Sequence, residues 1–373
     1  MHTTLRKLVT RAALAAALAT SHAAMAQTWT ITDLGTLGGS LSEAFAINDS
    51  GAITGRAFDS SGQNRAFIYA GGMSDIGTLG GRSAFGVDIN NLGQVLGYAD
   101  TASGASHPFF YSGGTLTDLY PSLPNTQGGA MAMNNAGQIV GVNNGLSPMT
   151  GFVYSGGTVT MVGLRVTGIN DVGQFVGVNT SNLGFFQTAG VMTTLGAKIQ
   201  PVDVNNFGVI TGTTFDSGGS PYAFIGTQTG VTAIGPVGSV ARAINNQGQI
   251  VMNTTAQYGG VDGSFLYDNG QITRLDQLAA VQSAGWTYLA SNDINDKGQI
   301  VGLGVHNGES HAFLLSSTGT GTVSTGGGGT ASVPEPETNG MMVMALGLLG
   351  WITRRRRGKM RCQNQVPAAC AAA

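Results

Sequence analysis

A short motif recurs seven times in this chain, and this repetition constrains the fold more than any other feature of the sequence. Each copy has an Ile, Val or Met, then an Asn, and a Gly three residues after that Asn. The seven copies contain Asn48 and Gly51, Asn90 and Gly93, Asn134 and Gly137, Asn170 and Gly173, Asn205 and Gly208, Asn245 and Gly248, and Asn295 and Gly298. Successive asparagines are 42, 44, 36, 35, 40 and 50 positions apart, which indicates one supersecondary unit per repeat.

The motif predicts a tight turn between two strands. An Asn side chain can cap its own backbone, and Gly readily adopts the left-handed conformation that other residues resist. Apolar residues flank each turn, as in Ala46-Ile47 before the first and Gln138-Ile139-Val140-Gly141 after the third. Each copy therefore predicts a strand, a turn and a second strand.

Two further strands are predicted in each of the first six units, and one in the seventh. An aromatic or apolar segment follows every turn: Ala66–Tyr69, Pro108–Tyr111, Gly151–Tyr154, Gly184–Gln187, Ala223–Gly226, Ser264–Tyr267 and Ala312–Leu315. After the first six of these comes another turn and a fourth strand, such as Met73–Gly77. Aromatic residues such as Phe67 and Phe109 alternate as core residues do.

Four short strands in about 40 residues, repeated seven times, predict an all-β protein: a seven-bladed β-propeller of four-stranded blades over residues 27–315. The seventh repeat lacks a fourth strand, but Trp29–Leu37 precedes the first turn and resembles Met73–Leu79, with DLGTL against DIGTL. The N-terminal strand can therefore complete the last blade, which removes an open sheet edge. A β-solenoid is the alternative, although its stacked coils tolerate less variation in repeat length.

The repeats resemble those of the HAF family of bacterial extracellular proteins. The resemblance rests on the segments Leu34–Gly39 and Ile76–Gly81, on the IN-x-x-GQ-x-x-G turns and on His311-Ala312-Phe313. It covers nearly all of residues 27–330, which we call the body of the chain. It implies an exported protein and carries no established activity.

The N-terminus has the three parts of a secretory signal peptide. Arg6, Lys7 and Arg11 are basic, Ala12–Ala19 is a short apolar run, and Ala24-Met25-Ala26 is a small-x-small site. We expect residues 1–26 to form a signal helix that signal peptidase removes after Ala26.

The C-terminus predicts a second targeting segment. Residues 316–332 are mostly Ser, Thr and Gly and predict a linker. Residues 333–357 contain Pro334, Glu335 and Pro336, then an apolar run from Met341 to Ile352 that predicts a short transmembrane helix, then four arginines, Arg354, Arg355, Arg356 and Arg357. The arginines are expected to stay on the cytoplasmic side. An atypical tail, residues 358–373, follows them.

Residues 333–357 closely resemble the PEP-CTERM sorting signal of Gram-negative bacteria. The resemblance implies recognition by an exosortase, cleavage near the Pro-Glu-Pro element, and transient anchoring in the inner membrane before display at the cell surface or release. It also implies a biofilm or exopolysaccharide setting. Chains of this family usually stop just after the basic cluster, so Gly358–Ala373 departs from the pattern.

The charge of the body argues against a nucleic-acid partner. Residues 27–330 contain eight basic and 17 acidic residues, a net charge of −9. An acidic surface repels phosphate backbones. Both cysteines, Cys362 and Cys370, lie in the tail, so the body has neither a disulfide nor a thiolate metal site.

Few residues of the body suggest catalysis. It has no G-x-S-x-G motif and three histidines. His107 and His311 both precede a third strand, which favours a structural role. His306 and His311 could share a metal across a hairpin, but the sequence indicates no third ligand, so we predict neither a metal site nor a cofactor.

Two groups of residues leave alternatives open. Asp88, Asp203 and Asp293 each lie two residues before a motif Asn, and we interpret them first as solvated or turn-capping acids and second as a charged binding rim. Trp286 and Tyr288 lie in the longest stretch between repeats, where aromatic side chains could stack on sugar rings.

We therefore expect an exported, non-catalytic repeat protein that binds within, or helps to build, the exopolysaccharide or biofilm matrix, with polysaccharide or surface proteins as partners. A secreted polysaccharide lyase or hydrolase is the alternative, since propellers also carry enzyme sites. Carboxylates that converge at one end of the channel would favour the enzyme. A ligand-binding sensor is a third, weaker hypothesis.

Overall fold

The computed structural model describes residues 28–120, 128–143, 150–258 and 261–318. The predicted signal peptide, the C-terminal sorting segment with its transmembrane helix, and the tail lie outside the described residues. No helix within the described ranges is long and apolar enough to cross a membrane.

The described residues form 28 β-strands. A leading strand and the first three repeats contain β1 (Thr28–Asp33), β2 (Gly38–Ile47), β3 (Ile53–Asp59), β4 (Asn64–Tyr69), β5 (Met73–Asp75), β6 (Gly80–Ile89), β7 (Val95–Thr101), β8 (Ser106–Ser112), β9 (Thr115–Asp118), β10 (Gly128–Met133), β11 (Ile139–Asn143), β12 (Thr150–Ser155) and β13 (Thr158–Val162). The other four repeats contain β14 (Leu164–Ile169), β15 (Phe175–Asn179), β16 (Leu183–Thr188), β17 (Val191–Ala197), β18 (Ile199–Val204), β19 (Ile210–Phe215), β20 (Pro221–Thr227), β21 (Gly230–Ile234), β22 (Ser239–Ile244), β23 (Ile250–Thr254), β24 (Gly263–Asp268), β25 (Gln271–Arg274), β26 (Trp286–Ile294), β27 (Ile300–His306) and β28 (Glu309–Thr318).

Each repeat folds into its own antiparallel sheet. We number the sheets by repeat: sheet 1 is β2–β5, and sheets 2 to 6 are β6–β9, β10–β13, β14–β17, β18–β21 and β22–β25. Sheet 7 contains β26, β27 and β28, with β1 paired to β28. One parallel bridge, between Leu41 and Ser310, joins sheets 1 and 7 into a continuous eight-stranded sheet. The predicted unit of strand, turn and three further strands is thus present in the first six repeats, whereas the seventh has three strands of its own and β1 beside them.

Strand β1 lies against the last strand of the seventh repeat. It pairs antiparallel with β28 over six residues, from Thr28 opposite Thr318 to Asp33 opposite Phe313. Residues 316–318, which the sequence assigned to the linker, therefore belong to β28. The strand is longer than predicted because β1 supplies pairing partners for polar residues that have no apolar pattern of their own.

Among the residues that the structure describes, seven apolar clusters connect the sheets, and each draws its residues from two successive repeats. One of them joins Ile47 and Phe67 of sheet 1 to Val301 and Ala312 of sheet 7. Face-to-face packing thus runs from each repeat to the next and from the seventh to the first. Four-stranded sheets packed in this order give the protein a β-propeller-like fold.

A glycine and an aromatic residue face each other at one position in six of the seven sheets. In sheet 2, Gly97 of β7 lies opposite the fully buried Phe109 of β8. A Cβ atom on Gly97 would lie 2.6 Å from the end of this ring, closer than real Cβ atoms approach. Sheet 6 has Met252 instead, opposite the less buried Phe265. At Gly97, Gly141 and Gly212 the missing Cβ leaves room for the aromatic ring, and at all six positions it also avoids a main-chain oxygen of the sheet's first strand.

A short helical segment precedes sheet 7. It consists of a 3-10 turn, Leu275–Gln277, and helix α1, Ala279–Ser283. Val281 of α1 and Leu275 are buried in the cluster that contains Trp29 of β1 and Trp286 of β26. The longest inter-repeat stretch therefore covers the apolar face of sheet 7, which is the sheet that β1 completes.

Candidate functional site

The seven motif turns surround one cavity of about 180 Å³. Three consecutive residues of every turn line it: Ile47–Asp49, Ile89–Asn91, Met133–Asn135, Ile169–Asp171, Val204–Asn206, Ile244–Asn246 and Ile294–Asp296. We call this side of the molecule, formed by the seven turns, the turn face. The motif that defines the repeats thus also defines the cavity.

The first asparagine of each motif bonds its own turn to the next one. Its Nδ2 donates to the main-chain oxygen of the following motif Asn, as from Asn48 to Asn90 at 2.9 Å. The same bond is made at each later step, and Asn295 donates back to Asn48 at 2.9 Å. All seven asparagines are buried. Because no repeat is skipped, the hydrogen bonds form a closed cycle.

The same side chains also hold the turns themselves. In Asn134, Oδ1 accepts the backbone N–H groups of Ala136 and Gln138, at 3.1 and 2.9 Å. The glycines of the seven motifs all have positive φ, between 71° and 88°. Each predicted turn residue therefore has a direct structural task, and the motif asparagines have few hydrogen-bonding groups left for a ligand.

The second motif residue forms another cycle, closer to solvent. Its backbone N–H donates to the side-chain Oδ1 of the corresponding residue in the next repeat, for example from Asn91 to Asn135 at 2.7 Å. The positions are Asp49, Asn91, Asn135, Asp171, Asn206, Asn246 and Asp296, and the last step returns from Asp296 to Asp49 at 2.9 Å. Asparagine and aspartate both supply the Oδ1 that this bond requires.

The third motif residue is exposed, and its character changes around the turn face. Leu92, Val172 and Phe207 are 70%, 65% and 76% exposed. With Ala136 they occupy four successive repeats, whereas Ser50, Gln247 and Lys297 occupy the other three. We call Leu92, Ala136, Val172 and Phe207 the apolar arc. Exposed apolar residues grouped on one side of a cavity are typical of binding surfaces.

Asp88, Asp203 and Asp293 bridge pairs of neighbouring repeats. Each accepts one backbone N–H from the next residue in its own strand and one from the residue before the next motif Asn: Ile89 and Met133, Val204 and Ile244, and Ile294 and Ile47. Their side chains are half-buried. Of the first interpretation, solvated or turn-capping acids, the capping role is the one the contacts support, because both oxygens of each carboxylate accept main-chain N–H groups beside the turns.

Enclosure by the protein also changes the acidity of these residues. Burial raises the pKa of Asp88 to about 6 and that of Asp293 to about 8, and raises the pKa of Asp203. Repulsion from Asp203 adds to the shift of Asp88, and repulsion from both of these acids adds to that of Asp293. The three carboxylates therefore lie close enough to interact, and their backbone hydrogen bonds only partly offset the cost of burying charge.

The raised pKa values predict that the protein becomes less stable as pH rises. A carboxyl group whose pKa is higher in the folded than in the unfolded state binds more protons when folded. For Asp293, stability is therefore lost as pH rises from the unfolded-state pKa of 3.8 through the folded-state pKa of about 8. We expect Asp293→Asn to flatten this dependence between roughly pH 4 and 8. Urea unfolding at a series of pH values measures the slope, and equal slopes for the variant and the wild type would contradict the assignment.

Histidine–aspartate pairs link the third and fourth strands of two sheets. His107 Nδ1 lies 2.8 Å from Asp118 Oδ2 in sheet 2, and His311 Nδ1 lies 2.8 Å from Asp33 Oδ2 in sheet 7. Sheet 1 has Arg65 and Asp75 in the same positions, 2.7 Å apart. The predicted structural role of His107 and His311 thus corresponds to a pairing that recurs between repeats.

In sheet 7 a second histidine joins this pair. His306 Nδ1 also lies 2.8 Å from Asp33 Oδ2. Burial disfavours ionisation of Asp33, but hydrogen bonds from His311, Gly35 and His306 outweigh it and hold the pKa of this carboxyl below its usual value. The sequence indicated the two histidines but not Asp33, which is 273 and 278 residues away from them.

The aromatic pair Trp286 and Tyr288 does not form a sugar-stacking site in a loop. Both residues lie in β26, and Trp286 is only 3% exposed. Its ring stacks on the imidazole of His306 with the centroids 4.7 Å apart and contacts Phe313 edge-on. The hypothesis was wrong because the stretch before β26 folds back over Trp286 instead of projecting into solvent.

Glu43 and Glu309 each have a partner of their own. Glu43 forms an ion pair with Arg56 at 2.8 Å. A Glu309 oxygen lies 3.4 Å from Nε2 of His311.

The sorting residues Ala26, Pro334, Glu335, Pro336 and Arg354–Arg357 lie outside the described residues.

Comparison with known proteins identifies one motif at the C-terminus. The PEP-CTERM protein-sorting motif matches residues 332–357. This motif indicates an exported protein that is sorted by an exosortase, as expected from the resemblance noted above. No curated protein is significantly similar to this chain in sequence.

Several solved structures resemble the chain at low identity. A streptogramin B lyase is 14% identical, with 78% of this chain and 98% of the lyase covered and a TM-score of 0.44. A Mycobacterium tuberculosis puromycin-hydrolyzing peptidase is 11% identical, with 78% and 55% covered and a TM-score of 0.51. The BP39L lectin from Burkholderia pseudomallei is 9% identical, with 78% and 96% covered and a TM-score of 0.39. Two of these proteins are enzymes and one is a lectin, and such low identities concern the fold alone.

Proposed function

We propose that this protein is an exported, non-catalytic seven-bladed β-propeller that binds a component of the extracellular matrix through its turn face. The seven sheets are its blades, and β1 closes the ring as the fourth strand of the seventh. The sorting motif at residues 332–357 supports export and exosortase processing. The resemblance of the repeats to those of HAF proteins supports an extracellular setting.

The observation that carries the binding role is the apolar arc beside the cavity. Its largest members, Leu92 and Phe207, leave most of their apolar surface in water although the core of every sheet is well packed. The polar floor of the cavity is already hydrogen-bonded between repeats, which keeps the turn face rigid. A rigid surface with exposed apolar groups loses little entropy when it binds.

We assign an exopolysaccharide as the partner. Sugar rings have apolar faces that pack on side chains such as Phe207. The body of the protein is acidic, which disfavours polyanionic partners such as nucleic acids. Export to the cell surface would bring the turn face into contact with the matrix.

Co-sedimentation with exopolysaccharide isolated from exosortase-bearing bacteria tests this function. We expect Leu92→Ser/Phe207→Ser to reduce the bound fraction at least about tenfold, because the apolar contact surface is lost. Val191→Ser is the matched control, since Val191 is 65% exposed at the start of β17 and lies outside the motif turns. Equal binding by the two variants would contradict a site on the turn face.

A polysaccharide-cleaving enzyme is the second candidate, and one observation favours it. Asp88, Asp203 and Asp293 have raised pKa values and interact with one another, as catalytic carboxyl groups often do. Their bonds to backbone N–H groups favour the structural role. Release of reducing ends or unsaturated sugars from the same polysaccharide, abolished in Asp88→Asn/Asp293→Asn, would support the enzyme and contradict the non-catalytic role.

A further inference from the structure

Three side chains that commonly bind metal ions meet on sheet 7, one from each of three adjacent strands. Asp33 comes from β1, His311 from β28 and His306 from β27. Asp33 Oδ2 lies 2.8 Å from Nδ1 of each histidine. One donor atom from each residue lies within 4.8 Å of the other two.

The strand register explains this convergence. His311 lies opposite Gly304, two residues before His306, and Asp33 lies opposite Phe313, two residues after His311. Side chains two residues apart in a strand lie on the same face of the sheet. The three donors therefore form a diagonal across one face.

Hydrogen bonds alone could account for part of this cluster. Each imidazole can donate its Nδ1–H to Asp33, and His107 and Asp118 make the same single pair in sheet 2. The position in sheet 2 that corresponds to His306 is occupied by Thr101, since Ala99 faces His107 as Gly304 faces His311. The second imidazole is thus particular to sheet 7, and it changes a repeated pair into a three-donor set.

Neighbouring residues orient both imidazoles. Trp286 stacks on His306 with only 10° between the ring planes. A Glu309 oxygen lies 3.4 Å from Nε2 of His311, on the side of the ring opposite Asp33. Carboxylates placed behind a metal-binding histidine fix its orientation and raise its basicity.

We propose that Asp33, His306 and His311 bind one Zn²⁺ ion through Oδ2 and the two Nδ1 atoms, with water as the fourth ligand. Two imidazoles and a carboxylate are a common zinc ligand set, with bonds of about 2.0–2.2 Å. Donors around a tetrahedral zinc lie about 3.3 Å apart, so the pairs now at 2.8 Å need to open by roughly 0.5 Å. The side chains of Asp33, His306 and His311 are 26%, 22% and 15% exposed, which gives an ion access from solvent.

This ion would fasten the N-terminal strand to the end of the ring. It would bridge Asp33 to residues 273 and 278 positions later. Sheet 7 is where β1 must remain paired, and the body of the protein has no cysteine that could serve this purpose. A zinc ion bound only by the folded protein would shift unfolding to higher temperature.

Calorimetric titration of Zn²⁺ into the chelator-treated full chain tests the proposal. Cys362→Ser/Cys370→Ser serves as the background, so that the tail thiols do not bind zinc. We expect one ion per chain and a rise in the unfolding temperature. His306→Gln should weaken zinc binding at least about 100-fold, because it removes one of three protein ligands. His107→Gln, which removes the corresponding imidazole of sheet 2, should bind zinc as the background protein does.

A measurement on the unsubstituted histidines covers the case in which a variant fails to fold. In long-range ¹H–¹⁵N spectra, zinc should shift the Nδ1 resonances of His306 and His311 and leave those of His107 in place. The proposal would be overturned if the background protein bound no zinc or if His306→Gln bound it with the same affinity. It would also be overturned if zinc left the Nδ1 resonances of His306 and His311 unchanged.

Discussion

Asn134→Ala is expected to lower the free energy of unfolding by about 3–5 kcal/mol, because it removes three hydrogen bonds to buried or half-buried backbone groups at about 1–3 kcal/mol each. The Asn134 amide accepts the N–H groups of Ala136 and Gln138 and donates to the main-chain oxygen of Asn170. Only 3% of the residue is exposed, so water cannot replace these bonds. The variant removes one bond of the inter-repeat cycle together with the cap of a turn.

Asn135→Ala is the matched control for this prediction. Asn135 is the next residue, and its side chain accepts from the Asn91 N–H and donates to Asp171 in exposed surroundings. Water can take over exposed hydrogen bonds, so we expect a loss of about 1 kcal/mol. Chemical denaturation of both variants measures the difference, and similar losses would show that the buried cycle has no special weight.

Trp29→Ala is expected to cost about 3–5 kcal/mol, the usual effect of removing a large buried aromatic side chain. Trp29 is 7% exposed and packs in the same cluster as Val281, Trp286 and Phe313. The other members of this cluster come from residues 243–315, whereas Trp29 belongs to the first described strand. Its contribution to stability therefore depends on β1 lying in sheet 7.

Thr30→Ala controls for a general effect of changing β1. Thr30 is exposed, and its hydroxyl donates a long hydrogen bond of 3.4 Å to Ser316 O. Exposed substitutions of this kind usually change stability by less than about 0.5 kcal/mol. Thermal unfolding compares the two variants, and a small effect of Trp29→Ala would mean that β1 does not pack on sheet 7.

The repeat pattern predicts much of the local structure. Asn-x-x-Gly predicts the turns because the asparagine caps its own backbone and the glycine adopts positive φ, both of which depend on neighbouring residues alone. The inter-repeat bond from Asn48 to Asn90 O was not predicted, since no local pattern shows which carbonyl a buried amide will reach. The regular spacing of identical asparagines was the one available signal.

The candidate sites depend on contacts that are distant in sequence. Asp88 was interpreted as a solvated or turn-capping acid, but its strand neighbours do not show that Met133 of the next repeat donates to it. Asp33 was not predicted as a partner of His306. The similarity of β1 to Met73–Leu79 predicted a strand, but it did not predict where the carboxylate of Asp33 would lie. The repeat alignment could have found it, since Asp75 and Asp118 occupy the same place in their sheets.

The most direct test of ring closure is a cysteine cross-link between β1 and β28. Thr30 and Ser316 lie directly opposite each other, and both native cysteines can be replaced by Cys362→Ser/Cys370→Ser. Facing residues of paired strands can come close enough for a disulfide. Thr30→Cys/Ser317→Cys is the matched control, because Ser317 lies opposite Trp29 and its side chain points to the other face. After mild oxidation, mass spectrometry of the monomer should show an intrachain disulfide for Thr30→Cys/Ser316→Cys and little for the control, whereas free thiols or only intermolecular disulfides in the first variant would contradict a ring closed by its N-terminal strand.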